Sequence, residues 1–130
     1  AWYETLTPDS VARAGEFYAA DAHFQDPFND VHGVPTIERI FRHMFARLDS
    51  PRFEVRDVCR GERSAMLCWD FSFSAGGRAY RLQGASHLQF DTEGRIASHL
   101  DYWDPAASLF MRVPLLGWVL RRLYRRLAAT

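Results

Sequence analysis

The feature that most constrains this chain is the stretch from Arg52 to Tyr102, where short runs alternate apolar and polar residues and are cut by turn sequences. Ser64–Ser74 and Arg78–Phe90 are long enough for full strands. Gly76-Gly77 between them offers the two positive-φ positions that a tight hairpin needs. Asp91-Thr92-Glu93-Gly94 marks the next turn, and Arg52–Arg60 and Arg95–Tyr102 complete a predicted four-strand meander. The pattern ahead of the meander is helical. Pro35–Leu48 carries Ile37, Ile40, Phe41, Met44 and Phe45 at helical spacing. Thr7 and Pro8 suit the N-cap and first position of an earlier helix reaching Ala20. A short strand is expected over His23–Phe28. Helices, a meander and a last helix imply an α+β fold, with helices packed on one face of an antiparallel sheet.

Charge narrows the function. Sixteen acidic residues balance sixteen arginines, and there is no lysine. A neutral chain lacks the basic footprint of a nucleic-acid binder. Cys59 and Cys68 have no metal-ligand spacing, and a disulfide between them is not expected. No signal peptide and no run of 18 apolar residues is visible, which reads as a cytosolic protein.

The balance breaks at the end of the chain. Residues 112–130 hold five arginines and no acid. Within them Leu116, Leu120, Leu123 and Leu127 fall on one helical arc, and Arg121, Arg122, Arg125 and Arg126 on the opposite one. Docking of this helix on protein is expected, with contact to a membrane surface as the alternative.

Two segments carry a resemblance. The first runs Tyr18-Ala-Ala-Asp-Ala-His-Phe-Gln-Asp26-Pro27-Phe28, followed by His32-Gly33 and a helix. The second runs Gly84-Ala-Ser86-His-Leu-Gln-Phe-Asp-Thr-Glu-Gly94-Arg-Ile96 into Asp101-Tyr-Trp103-Asp104. Both resemble the ketosteroid-isomerase-like, SnoaL-like branch of the nuclear transport factor 2-like superfamily. The resemblance implies a cone-shaped curved sheet packed with helices around a central pocket, over residues 1–107, with 108–130 as an amphipathic helical extension. It implies no cofactor and no metal. The chain begins where the family's first helix is nearly finished.

The resemblance also assigns faces. It puts Met66, Cys68, Asp70 and Ser72 on the pocket side of their strand, leaving Leu67, Trp69, Phe71 and Phe73 outside. By periodicity alone the aromatic row could equally be the core face. It further gathers Asp26, Asp70, Asp101, Ser86 and His99 around one cavity as candidate catalytic residues. Tyr18, Phe28, Phe45 and Met66 would contact an apolar ligand, together with Cys68, Leu88 and Trp103. Family members pair through the outer sheet face, so a homodimer is expected, its outer aromatic row covered by the partner.

Three functional readings follow. In the first, Asp26 occupies the family's proton-shuttling position and drives isomerase- or cyclase-like chemistry on a steroid, terpenoid or polyketide-like ligand; Ser86 stands where an acidic oxyanion donor would be. In the second, similarity to limonene-epoxide hydrolases makes Asp101 the base and Asp70 the acid, with Cys68 in place of the bridging arginine. In the third, the pocket only binds. A plainer role for Asp26 is a turn residue accepting backbone hydrogen bonds. His23, His32, His43 and His87 read as structural or surface residues.

Overall fold

The computed structural model describes residues 11–105 and 114–128. Of the helix expected over Pro8–Ala20 only residues 8–10 lie outside that range; the division drawn at residue 107 also lies outside it. What is described is a 3-10 turn, Ala14–Glu16, leading straight into strand β1, Tyr18–Gln25. The helical reading of Phe17 to Ala20 is therefore corrected. The sheet claims these residues: the amide of Ile96 donates to the Phe17 carbonyl, and Tyr18 lies in parallel register with Ile96.

Strand β2, Asp30–His32, turns back on β1, and helix α1, Val34–Arg47, follows. The meander comprises β3 (Asp49–Arg60), β4 (Ser64–Ala75), β5 (Arg78–Phe90) and β6 (Ile96–Tyr102), and α2 spans Pro114–Leu127. The six strands lie in the order β2-β1-β6-β5-β4-β3. The sheet is curved and unclosed, and α1 fills its concave side, consistent with the expected cone. Gly76 and Gly77 both take positive φ, 57° and 77°, as the hairpin between β4 and β5 requires.

Curvature comes from bulges, which add a residue to one strand and bend it. Two interrupt β3. One lies between Asp49 and Arg52, where Ser50 sits at φ 49°; the other lies between Val55 and Asp57. The second leaves Arg56 without a partner across the ladder, so its side chain can stay on the convex face beside Asp70.

The faces of β4 are the reverse of the expected ones. Leu67, Trp69, Phe71 and Phe73 are buried on the concave side, while Met66, Cys68 and Ser72 are exposed. Energetics explain the choice. Each large apolar side chain gains about 1.5–3 kcal/mol on full burial, and a row of four outweighs one that includes an aspartate and a serine. Asp70 shares the convex side with Met66 and Cys68. Trp69, Phe71 and Phe73 are therefore not an exposed row that a partner would cover. The convex face presents Met66 and Tyr102 instead.

Candidate functional site

Between α1 and the concave face lies a cavity of about 340 Å³, within the range of pockets for small organic ligands. Ile40, Phe41 and Met44 of α1 form one wall; Trp69, Phe71 and Leu82 form the other. Phe28 and Trp103 meet edge to face across the rim, 5.5 Å between ring centres. The polar groups are few: Asp26 and Asn29, with His43 and Arg47 on the helix, at one side, and Asp101.

Asp101 is the polar centre, and strand register puts it there. On the concave face Ser86 of β5 pairs directly with Asp101 of β6, and His99 follows two residues before Asp101 on the same strand face. The Ser86 hydroxyl donates to Asp101 Oδ1 at 2.5 Å, and His99 Nε2 meets the same oxygen at 2.6 Å. An ionised carboxylate only accepts, so Nε2 carries the hydrogen. In the neutral ring Nδ1 then accepts from the Tyr18 hydroxyl, 2.7 Å away. At the other end, the Trp69 indole N–H donates to the Ser86 oxygen at 2.9 Å. Both bonds to Asp101 fall on Oδ1, and Oδ2 has no hydrogen bond among the described residues. His99 and Ser86 are buried, and Phe24 packs edge-on against the imidazole. The chain of donors thus fixes the Asp101 carboxylate without an arginine.

A recess of about 20 Å³ opens beside this network, lined by Ser86, His99 and Asp101 with Phe41, Leu67 and Val55. That volume holds about one water molecule. The recess shares Phe41, Trp69 and Asp101 with the main cavity.

Gly84 makes the arrangement sterically feasible. It pairs with Trp69 across β4 and β5, and the indole lies flat over it. A Cβ on residue 84 would sit 2.5 Å from Trp69 Cζ2 and 2.9 Å from Cζ3. Glycine lets the indole lie close enough for its N–H to reach Ser86.

The other predicted residues are placed as follows. Asp26 caps the turn after β1. Its Oδ1 accepts from the Phe28 and Asn29 amides at 2.8 and 2.7 Å and from the Asn29 side chain at 3.0 Å, while Oδ2 accepts only from the latter, at 3.1 Å. It borders the cavity at the rim. Asp70 lies on the convex face, where Arg56 Nε and Arg81 each donate to its Oδ2 at 2.6 Å. Those bonds, Arg81's first, hold its carboxyl below the usual carboxylate range. Asp70 and Asp101 therefore do not meet, and the concave row of β4 offers no carboxylate or arginine in their stead. Met66 and Cys68 face away from the cavity. Phe45 and Leu88 pack into the core without lining it. Trp103 lines the cavity; Tyr18 does not, and contacts His99, which lines the recess.

The sequence reading missed Phe41, Trp69, Phe71 and Leu82 as cavity walls, and His43 at the rim. Trp69 was the accessible one: an aromatic row in a strand facing a lone interior glycine is a packing signal.

The chain belongs to the SnoaL-like domain family, whose sequence model matches residues 1–99. No curated protein matches it. Among solved structures, it is similar to a hypothetical protein of ketosteroid isomerase-like fold from Catenulispora acidiphila, determined with trimethylamine. The TM-score is 0.72 at 20% identity, covering 91% of this chain and 90% of that one. It is also similar to an epoxide hydrolase of M. tuberculosis like the limonene-epoxide enzymes (TM-score 0.67, 15% identity, 80% and 77% covered). A protein described as a SnoaL-like polyketide cyclase, from Shewanella denitrificans, aligns with TM-score 0.68 at 15% identity, over 79% and 85% of the two chains. These likenesses establish the fold, a pocket fold shared by proteins of different activities.

Proposed function

We propose that this protein binds an apolar small molecule between α1 and the concave sheet, and that Asp101 is the base acting on it. One observation carries the reading. Asp101 is fixed through Oδ1 by Ser86 and by the Tyr18–His99 pair, while Oδ2 of the same carboxylate is left for a ligand or a water. A general base needs that combination of fixed position and an open oxygen. Asp26, the base in the sequence reading, has its Oδ1 filled by turn donors and lies at the rim.

Two reactions fit such a base. In the first, Asp101 takes a proton from carbon beside a ligand carbonyl and returns it elsewhere, as in an isomerase or cyclase. In the second, Asp101 takes a proton from a water, whose oxygen attacks an epoxide carbon as the C–O bond opens; a further proton must then reach the alkoxide. The water-sized recess against Asp101, Ser86 and His99 favours giving the second reading a place. Here it needs an acid other than Asp70, and the Tyr18–His99 pair is the candidate.

The test uses three probes: a β,γ-unsaturated 3-ketosteroid, limonene epoxide, and the fluorescent apolar anion anilinonaphthalene sulfonate. Asp101→Asn should lower turnover of whichever substrate is accepted by about 100-fold or more, with probe binding intact. Asp26→Asn should cost much less. If Asp26→Asn abolishes turnover and Asp101→Asn does not, Asp26 is the base. Probe binding with no turnover of either substrate would favour a binding role.

A further inference from the structure

We infer that α2 is an interfacial helix that lays its apolar stripe on an anionic lipid surface. The inference does not rest on the pocket reading. It rests on what the helix leaves uncovered. Along Pro114–Leu127, Leu116, Val119, Leu120, Leu123, Tyr124 and Leu127 occupy an arc of roughly 140° at 100° per residue, and Trp118 lies outside it among the arginines. One edge of that arc meets the rest of the chain. Gly117 is buried, Leu120 half-buried, and the Tyr124 hydroxyl donates to Asp104 at 3.1 Å. The remainder faces outward: Leu116, Val119, Leu123 and Leu127 are exposed, the last at 76%. The expected docking on protein is thus met along one edge only.

Charge selects the occupant. Arg121, Arg122, Arg125 and Arg126 are exposed on the same helix, which contains no acidic residue. Arg126 borders the apolar stripe beside Val119, and the Arg122 guanidinium, one turn earlier, lies over the Trp118 ring, 5.5 Å from its centre. A second copy paired through this stripe would gather eight arginines on two adjoining helices, with no acid on either to offset them. A lipid surface instead offers acyl chains to the leucines and phosphates to the guanidiniums, which bind phosphate in a forked geometry. The helix is far too short to span, and no helix among the described residues is long and apolar enough to do so. It would lie in the plane of the interface. Asp104, which holds Tyr124, adjoins Trp103 at the cavity rim, so docking would set the cavity mouth beside lipid, where apolar molecules concentrate.

Flotation of the full chain with phosphatidylcholine vesicles, with and without phosphatidylglycerol, tests the inference. The protein should float with the anionic vesicles, at least roughly tenfold more than with neutral ones, and high salt should weaken the association. The double reversal Arg122→Glu with Arg126→Glu should lower flotation by about tenfold or more. Leu123→Asn should lower it while leaving the charge unchanged. All these positions are exposed, so the variants should keep the fold, which circular dichroism checks. Absence of flotation overturns the inference. So does equal flotation with neutral vesicles that the charge reversal leaves unmoved. A dimer that Leu123→Asn converts to monomer, with no flotation in either form, would show that a second copy covers the stripe and would also overturn it.

Discussion

Asp70 and Asp101 sit on opposite faces of one sheet, two strands apart, the first buried and the second half-buried. Their partners differ in kind. Asp70 receives two guanidiniums on one oxygen; Asp101 receives a hydroxyl and an imidazole N–H on one oxygen. Cations stabilise a carboxylate as a permanent anion, so Asp70 is a structural tie between β3, β4 and β5. A hydroxyl and a ring N–H position the Asp101 carboxylate, and the cavity gives it something to act upon. Whether a buried aspartate is structure or chemistry is thus decided by the charge of its donors and by what lies beyond its second oxygen.

The largest expected effect follows from exchanging the two removals. Asp101→Asn should cut turnover about 100-fold or more with a small change in melting temperature. Asp70→Asn should do the opposite, lowering the melting temperature and sparing turnover. If both variants lose stability and keep activity, Asp101 is only a second structural carboxylate.

Gly84→Ala strikes the concave face without touching a charge. The added methyl collides with the Trp69 indole, and overpacking of this kind costs about 1–3 kcal/mol. Because the displaced indole loses Ser86, the variant should lower both thermal stability and turnover. Loss of stability alone would mean that the Trp69–Ser86 bond is not needed to hold Asp101.

Acid sharpens the contrast. The folded pKa of Asp70 lies below its unfolded value, so the stability it supplies is complete above about pH 4 and is lost as pH falls through the lower folded value. The melting temperature should drop more steeply below about pH 4 in the wild type than in Asp70→Asn. Equal slopes would show that the two arginines contribute nothing through Asp70.

How much of this was legible beforehand differs between the two carboxylates. Turn dipeptides and alternation gave the meander, and the Asp-Pro, His-Gly and Tyr-Trp motifs gave the family and the cone. Ser86, His99 and Asp101 lie on the concave side as alternation predicts, because β5 is regular from Gly84 to Leu88 and β6 from Ser98 to Tyr102, and Trp103 lines the cavity just beyond β6. Asp70 was misplaced, although β4 is equally regular. There the aromatic row is the better guide to the interior than the family correspondence. The Arg56 clamp was not legible at all, since the bulge that leaves Arg56 on the convex face has no sequence mark of its own.

The other bulge gives the smallest effect. Between Asp49 and Arg52 the chain gains one residue relative to β4, and that extra residue sets the phase in which Phe53 faces Phe71 and Arg52 faces Ser72. Ser50 occupies the left-handed region at φ 49° to make the bulge. A non-glycine residue there costs roughly 1–2 kcal/mol, part of which glycine would return as greater freedom of the unfolded chain. Ser50→Gly should therefore gain no more than about 1 kcal/mol. Ser50→Val, branched at Cβ, should lose about 1 kcal/mol or more. Denaturant midpoints measured side by side would separate the two signs. If both substitutions are neutral, the bulge can slide to a neighbouring residue, and the phase of β3 is held instead by the stack of Phe53 on Phe71, whose rings lie 4.3 Å apart.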